Sequence, residues 1–431
     1  MNGHTRRPVE LYLSLPIFAF ALFDFANTIF SANIVTLFFP QYITETVGTN
    51  PRLEQIASTV IAYANAVAAL MLIVFAPLYG VVMDRTGRRK RYVVAFTLIC
   101  VAASIGMGIF GGEADERWFG LPNGFVLAVV LFVIAKFAFN SGNVFYDGML
   151  SSLGNKKEIP LISGYGVALG YLGTLFGIFS VLLLIGDRPV HHTFWLSGVL
   201  FLIFSLPLFF IHKDKPQEKK PKQHFLAGYK DIYATFREAR SSPSIFYFMI
   251  AYFFINDALA TAIAMMQPYA VTVVGFSPGA FLIIFMTATV FSIIGAIVFS
   301  FLSQGLGSKR TFTIIACLLL FAVAVAAIPL PMWTFWIAAA LFGIAMGSTW
   351  VVSRTLIIEL SPEGKEGQFF GLFAFSAKMS AVLGPLVYGS ITWLMADYGV
   401  IASRVAISSL MLMIIIGLLF HSRIKRAGSS N

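Results

Sequence analysis

Charge is scarce in this chain: Asp, Glu, Lys and Arg make up 12% of its 431 residues, about half the roughly 25% of an ordinary soluble domain. So small a polar share cannot cover a water-soluble core of this size. Cysteine and histidine are scarcer still, at two and six. Cys100 and Cys317 sit inside apolar runs with no CxxC spacing, so a disulfide framework or zinc cluster lacks its residues, and both read as small buried apolar side chains. A Walker glycine loop and an HExxH pattern are missing too, which removes ATP hydrolysis and zinc-dependent hydrolysis. No enzyme, no cofactor and no metal site is expected.

What the chain has in quantity is apolar length: 58% of it is hydrophobic, and 44 residues are Phe. A helix crossing a bilayer needs about 20 mostly apolar residues. Splitting the runs at charges, Gly and Pro predicts twelve helices near 13–44, 54–83, 91–110, 121–150, 160–186, 192–212, 244–274, 278–303, 309–328, 332–360, 366–395 and 401–421. The first follows Arg6 and Arg7 as a signal peptide would. It runs too long for one and lacks a small-residue cleavage site, so it reads as an uncleaved helix. The fold class is an all-α membrane protein of about 12 transmembrane helices.

A net charge of +10 would raise nucleic acid as a partner in a soluble protein, but here position decides. An even number of spans puts both termini on one side. That side carries Arg6 and Arg7, five basic residues at 85–91, Lys156 and Lys157, eight between 213 and 240, Lys309 and Arg310, Arg354 and Lys365, and three at 423–426, in all 24 of the 30 Lys and Arg. Only Arg52, Arg117, Arg188 and Arg404 fall on the other side, while Lys136 and Lys378 lie within spans. The positive-inside rule then places both termini in the cytoplasm, and no nucleic acid partner is expected.

The connection 213–243 opens with KDKPQEKKPKQH, too polar and Pro-broken to pack, and reads as a linker between halves. Its second part spaces Phe225, Tyr229, Ile232, Tyr233 and Phe236 on one helical face opposite Lys230, Arg237 and Arg240, which suits a helix lying on membrane lipids. The expected domains are 1–212 and 244–431, each a six-helix bundle, joined by 213–243.

Internal similarity supports two related halves. GVVMDRTGRRK, from Gly80, matches SFLSQGLGSKR, from Ser300, at an offset of 220 residues; LGYL at 169–172 matches LGPL at 383–386 at 214; YITETVG matches YAVTVVG at 227. Internal repeats in a polytopic chain point to a transporter whose halves rock about a site near the membrane midplane.

Gly80, Asp84, Arg85, Gly87, Arg88 and Arg89 resemble the signature that the major facilitator superfamily carries between its second and third helices. A narrower resemblance, to the vacuole-effluxer branch with its fungal autophagy-related permeases and bacterial relatives, rests on ALFDFANTIFSANIVTLFFPQY, FYDGMLSSL, GYGVALGYLG and SRTLIIELSPEGKEGQFFGLFAFSAKMSAVLGPLVYG. This chain departs from the branch at Phe25, where a Trp is common, and at Asp147, where Asn is. The resemblance implies two pseudo-symmetric six-helix bundles, amino-acid export as the activity, a central path lined by helices 1, 4, 7 and 10, and a multi-pass protein of a bacterial plasma membrane. It also implies a cytoplasmic gate at Gly80, Asp84, Arg85, Gly87, Arg88 and Arg89, to which Arg354 and Glu359 at the inner end of helix 10 are added.

Charge at bilayer depth costs at least about 2.5–3.5 kcal/mol per side chain, so each instance is a candidate functional group. Asp24, Lys136, Asp257 and Lys378 each lie eleven to fifteen residues inside a helix, roughly 16–22 Å deep at 1.5 Å per residue. Each half thus has one acid and one amine, although the match at YITETVG sets Asp24 opposite Ala251 rather than Asp257. Lys136, Asn140, Asn143 and Asp147 share one helical face, and Asp24, Asn27, Thr28 and Ser31 another. Such stripes avoid lipid.

Carboxylates can hold a cationic group or a proton, and lysines an anionic group; a zwitterionic amino acid needs both. The alternative is that Asp24 with Lys136 and Asp257 with Lys378 are structural ion pairs. The glycines of helix 5 (Gly166, Gly170, Gly173 and Gly177) read as a packing face, and Gly384 with Pro385 as a bend in helix 11. Together these features indicate secondary transport of a small polar molecule, amino acids or small peptides first, with protons as a coupling ion and a monomer sufficient. A proton-driven exporter of drugs or lipids and a non-transporting receptor or scaffold are the alternatives.

Overall fold

The computed structural model describes residues 6–47, 51–112, 117–118, 121–186, 188–214, 243–362 and 364–424. Among these, twelve helices are long and apolar enough to cross a membrane. They are α1 (Leu15–Ile43), α2 (Tyr63–Thr86), α3 (Arg89–Phe110), α4 (Asn123–Ser152), α5 (Ile159–Ile185) and α6 (His192–Ile211). The second six are α7 (Pro243–Tyr269), α8 (Pro278–Leu306), α9 (Ser308–Ala327), α10 (Thr334–Leu360), α11 (Glu366–Leu394) and α12 (Val400–Ser422). The fourth starts two residues later than expected because Arg117–Trp118 pairs with Leu121–Pro122 in a short antiparallel hairpin. The expected surface helix carrying Phe225 to Phe236 lies outside the described residues.

Two compact units form. Among the described residues, one contains those of 7–153 and 169–214, the other residue 6 and those of 154–168 and 243–424. Nearly the first three turns of α5 (159–168) therefore group with α7 to α12, not with the helices that precede it in sequence. Below, the first is the α1 unit and the second the α7 unit.

The repeat read from sequence is visible in bonds. Gly87, between α2 and α3, and Gly307, between α8 and α9, both have positive φ (63° and 86°), a backbone turn that favours glycine. Just after each, a lysine caps the C-terminal carbonyls of the last helix in its unit. Lys90 Nζ donates to His212 O at 2.8 Å, and Lys309 Nζ donates to Ile424 O. Such capping supplies a donor to carbonyls left open at a helix end. At the other end, Tyr42 OH donates to Gly111 O and Tyr269 OH to Ala326 O, each at 2.8 Å, tying α1 to the end of α3 and α7 to the end of α9.

Phenylalanine builds the interior as well as the lipid face. Phe20, Phe23, Phe30, Phe132, Phe145 and Phe201 are fully buried in the α1 unit. Tyr146 stacks on Phe20 at 4.3 Å between ring centroids and donates its hydroxyl to Phe20 O at 2.8 Å. Of the two cysteines, Cys100 is buried as expected but Cys317 is exposed on α9. An apolar run does not say which residues face lipid.

Candidate functional site

In the α1 unit the candidate carboxylate sits where α1 crosses α5. A methyl group at Gly173 would fall 2.9 Å from the Phe25 carbonyl carbon, and one at Gly177 3.1 Å from Ile29. Gly170 faces Thr28 and the backbone of Asp24. These three glycines let α5 approach α1 closely, as their spacing suggested. The approach lets Thr28 Oγ1 donate to Gly170 O and Asn33 Nδ2 to Gly177 O (3.0 Å) and Ser197 Oγ (3.2 Å). Asp24 and Asn27 are both buried, at 5% and 6% exposure.

The α7 unit repeats this crossing with other chemistry. Gly384 on α11 faces Asp257 and Thr261 on α7, as Gly170 on α5 faces Asp24 and Thr28. Asp257 thus corresponds to Asp24, which corrects the alignment with Ala251. The reason is length: eighteen residues separate Asp24 from Tyr42, and twelve separate Asp257 from Tyr269. Relative to its own tyrosine anchor, Asp24 therefore lies deeper by about 9 Å at 1.5 Å per residue. The matching pattern, Asp with Thr four residues later, stands in the sequence as DFANT and DALAT. Both anchors are preceded or followed by π-helical turns, Ser31–Phe38 and Ala270–Val274, which absorb extra residues within a helix.

Asp257 is fully buried, and its Oδ1 accepts the Gly384 backbone N–H at 2.8 Å. The partner of Asp257 on α11 is thus the Gly384 amide; the alternative reading of an ion pair with Lys378 has no bond between the two among the described residues. Lys378 is half-buried. Beside them Asn256 Nδ2 donates to Ser380 Oγ at 2.8 Å, and Tyr252 OH donates to Asn256 Oδ1 at 3.1 Å. Sequence reading missed Asn256 and Thr261, the neutral neighbours of a charge, because neutral polar residues are common in apolar helices.

On α4 the polar stripe stands as spaced. Lys136 is half-buried, donates to Asn65 Oδ1 on α2 and lies 5.9 Å from the Phe132 ring centroid. Asn140 is buried and Asn143 half-buried. The buried side-chain oxygens of Asn27 and Asn143 have no hydrogen-bond partner among the described residues. Unsatisfied buried polar atoms are rare and costly, and they commonly mark a place for water or ligand.

The gate candidates divide between the units. Gly80 and Asp84 are buried near the end of α2, Arg85 is half-buried and Arg88 exposed. Arg89 donates to Gly148 O and, at 2.9 Å, to Ser151 Oγ at the end of α4. In the α7 unit, Ser308 Oγ donates to Glu359 Oε1 at 2.6 Å. The α8–α9 turn thus holds the end of α10 much as the α2–α3 turn holds the end of α4. Arg354 is half-buried five residues earlier.

The start of α5, unremarked in the sequence, has contacts of its own within the α7 unit. Gln304, which replaces Asp84 in the repeat, donates to Lys157 O at 3.1 Å, and Ser163 Oγ to Val351 O at 3.3 Å. Gly164 leaves room for Ser300 and Ala296 O on α8. Arg6 binds Glu158 through its backbone N–H (2.9 Å), Nε (3.0 Å) and Nη2 (2.9 Å). Those bonds hold the Glu158 carboxyl down to about 2.

Residues 157–429 match the family model described as vacuole effluxer Atg22 like. The chain belongs to the Atg22-like family. It is 23% identical over 411 residues to the uncharacterized MFS-type transporter YxiO of Bacillus subtilis, covering 93% of this chain and 92% of that protein. It is 30% identical over 263 residues to autophagy-related protein 22-1 of Penicillium rubens, covering 54% of this chain and 44% of that protein. The fungal Atg22 proteins are thus matched over less than half their length in that case. Among solved structures it shares the fold of the MFS transporter FucP in the outward conformation, with a TM-score of 0.73 and 14% identity over 97% of this chain and 100% of that one. The human organic anion transporter MFSD10 is similar at a TM-score of 0.74 and 12% identity, over 96% and 100%. This Atg22-like chain is therefore a multi-pass MFS-type membrane transporter.

Proposed function

We propose that the chain moves a small zwitterionic metabolite, an amino acid or small peptide, across the membrane by alternating access. The observation that supports this most is the polar surface of α1 and α4. There a carboxylate (Asp24), a cation (Lys136) and the unsatisfied oxygens of Asn27 and Asn143 occupy helices that otherwise bury Phe. Asp24 would take the ammonium group and Lys136 the carboxylate; Asn27, Asn140 and Asn143 would bond the remaining polar atoms. Charged partners discriminate strongly in a dry site, because a ligand lacking one group leaves the other unpaired. Asp257 and Lys378 would serve the second half, and a proton would couple the cycle.

In this reading the lysine- and arginine-rich ends are cytoplasmic, and the halves 1–212 and 244–431 are the rocking bodies. Gly80, Asp84, Arg85, Gly87, Arg88 and Arg89 with Arg354 and Glu359 form the gate. Within the α7 unit, Gln304 and Ser163 hold residues 157–164 to α8 and α10 by two neutral hydrogen bonds worth about 1 kcal/mol each, a strength that a transport cycle would break and remake.

A thermal-shift screen of the purified chain against amino acids, small peptides, sugars, organic anions and amphipathic drugs tests the substrate class, since ligand binding to the folded state raises apparent stability. Stabilisation by amino acids or peptides that Lys136→Met abolishes is the expected result. Stabilisation by drugs or lipids alone would replace this reading with an exporter of amphipaths.

A further inference from the structure

The two carboxylate crossings have diverged in one respect. In the α1 unit, the threonine one turn after the carboxylate is committed, since Thr28 Oγ1 donates to Gly170 O. In the α7 unit, Thr261 Oγ1 is buried and has no hydrogen-bond partner among the described residues, and the same holds for Asp257 Oδ2. Both side chains are fully buried. Both line the notch that Gly384 leaves, where a methyl group would lie 2.6 Å from Asp257 Oδ1 and closer still to Thr261 Oγ1. Two buried oxygens, one of them a carboxylate's, lie side by side; the Thr261 hydroxyl has its own hydrogen, which an ionised Asp257 can accept, and after protonation of Asp257 the same two oxygens can still bond with donor and acceptor exchanged.

We propose that Asp257, Thr261 and Gly384 form a proton-binding site. A proton from water adds to Asp257 Oδ2, the site passes from a charge of −1 to neutral, and the new O–H donates to Thr261 Oγ1. The Gly384 amide keeps its bond to Oδ1 in both states. The inference rests on the transport reading, to which it adds the seat of the coupling ion.

A divalent cation does not fit the same atoms. Calcium and magnesium take six or more oxygens, and no cluster of three or more metal-binding side chains exists among the described residues. The titratable groups on the helices packed against α7 are Glu366, Lys378 and Tyr388 of α11, Arg404 and His421 of α12, and Arg354 and Glu359 of α10. Among these, Arg404 donates to Ala327 O at 3.0 Å, His421 Nε2 meets Lys309 O at 2.9 Å, and Glu359 accepts from Ser308; Lys378 and Arg354 are engaged as well. Lys378 precedes Gly384 by six residues, about 9 Å along the helix axis. Pro385, with no N–H to give, follows Gly384 where Tyr171 follows Gly170. Helix α11 is therefore the less regular of the pair at the residue that senses the proton.

Infrared difference spectra of the purified full chain between acid and alkaline pH read the proton directly, without a known substrate. The expected result is a protonated-carboxyl band that shifts in heavy water, disappears in Asp257→Asn and survives in Asp24→Asn. Thr261→Val should move that band upward, because the O–H loses its acceptor, and Thr261→Ser should return it. Asp257→Asn keeps an oxygen for the Gly384 amide and points an NH2 group at Thr261, so it should fold with an unchanged melting temperature. If that variant cannot be purified, the Thr261 pair decides: a band indifferent to both Val and Ser overturns the site. So does a carboxyl band that Asp257→Asn leaves in place. Stabilisation by sodium over choline at fixed pH, abolished by Asp257→Asn, would overturn it in favour of a metal cation. None of these outcomes bears on whether amino acids are carried, which uptake alone reads.

Discussion

Gly384→Ala and Gly170→Ala change the same residue at equivalent crossings, and the structure assigns them different costs. At Gly170 the new methyl group would meet Thr28 Cγ2 at 3.2 Å and Asp24 O at 3.5 Å, which a few tenths of an ångström relieve. Alanine also favours a helix over glycine by roughly 0.5–1 kcal/mol, so Gly170→Ala should be close to neutral. At Gly384 the methyl group would displace both Asp257 and Thr261. Overpacking a dense core costs about 1–3 kcal/mol, and a hydrogen bond to a charged group contributes about 1.5–3 kcal/mol. Gly384→Ala should therefore lose about 3 kcal/mol or more. Thr261→Ala removes the nearest obstacle, so the double variant Thr261→Ala/Gly384→Ala should lose less than the sum of its singles. Melting curves of the four purified proteins in one detergent measure this. Equal melting temperatures for Gly384→Ala and wild type, or strictly additive losses, would refute the packing argument.

Other outcomes follow from the same contacts. Gly173→Ala should destabilise more than Gly177→Ala, since the first meets backbone of α1 and the second meets side chains that can shift; melting curves rank them. Glu158 has its carboxyl depressed to about 2 by Arg6, so the pair's stabilisation is full above about pH 4.5 and is lost as pH falls towards 2. Arg6 is 39% exposed, which discounts the worth of the pair to about 1 kcal/mol. Arg6→Ala should thus lower the melting temperature slightly at neutral pH and flatten its acid dependence in that window. Asp84→Ala should leave ligand affinity within about twofold, as measured by thermal shift, while slowing exchange; lost affinity with normal cycling would contradict a gate.

The sequence made the twelve spans legible because bilayer helices need long apolar runs, and most observed ends fall within a few residues of those expected. The repeat was legible at Gly87 and Gly307, whose positive φ constrains residue type. It was less legible at Asp24 and Asp257, because a six-residue difference in length between α1 and α7 hides their equivalence from any constant offset; the Asp–Thr spacing carried it. Lys136, Asn140 and Asn143 were found because charge and amide are costly in lipid. Thr261, Asn256, Asn65 and the Arg6–Glu158 pair were not, since a threonine or asparagine in a helix says little until its neighbour is known. Cys317 shows the converse: composition says that a residue is apolar, and only packing says whether lipid or protein surrounds it.

The most direct measurement is counterflow in proteoliposomes, where labelled solute exchanges against an unlabelled internal pool without a driving ion or a chosen direction. The account predicts protein-dependent exchange of at least one amino acid or small peptide, lost in Asp24→Asn and in Lys136→Met. Exchange of sugars, organic anions or drugs but no zwitterion, or full amino-acid exchange by Lys136→Met, would contradict it.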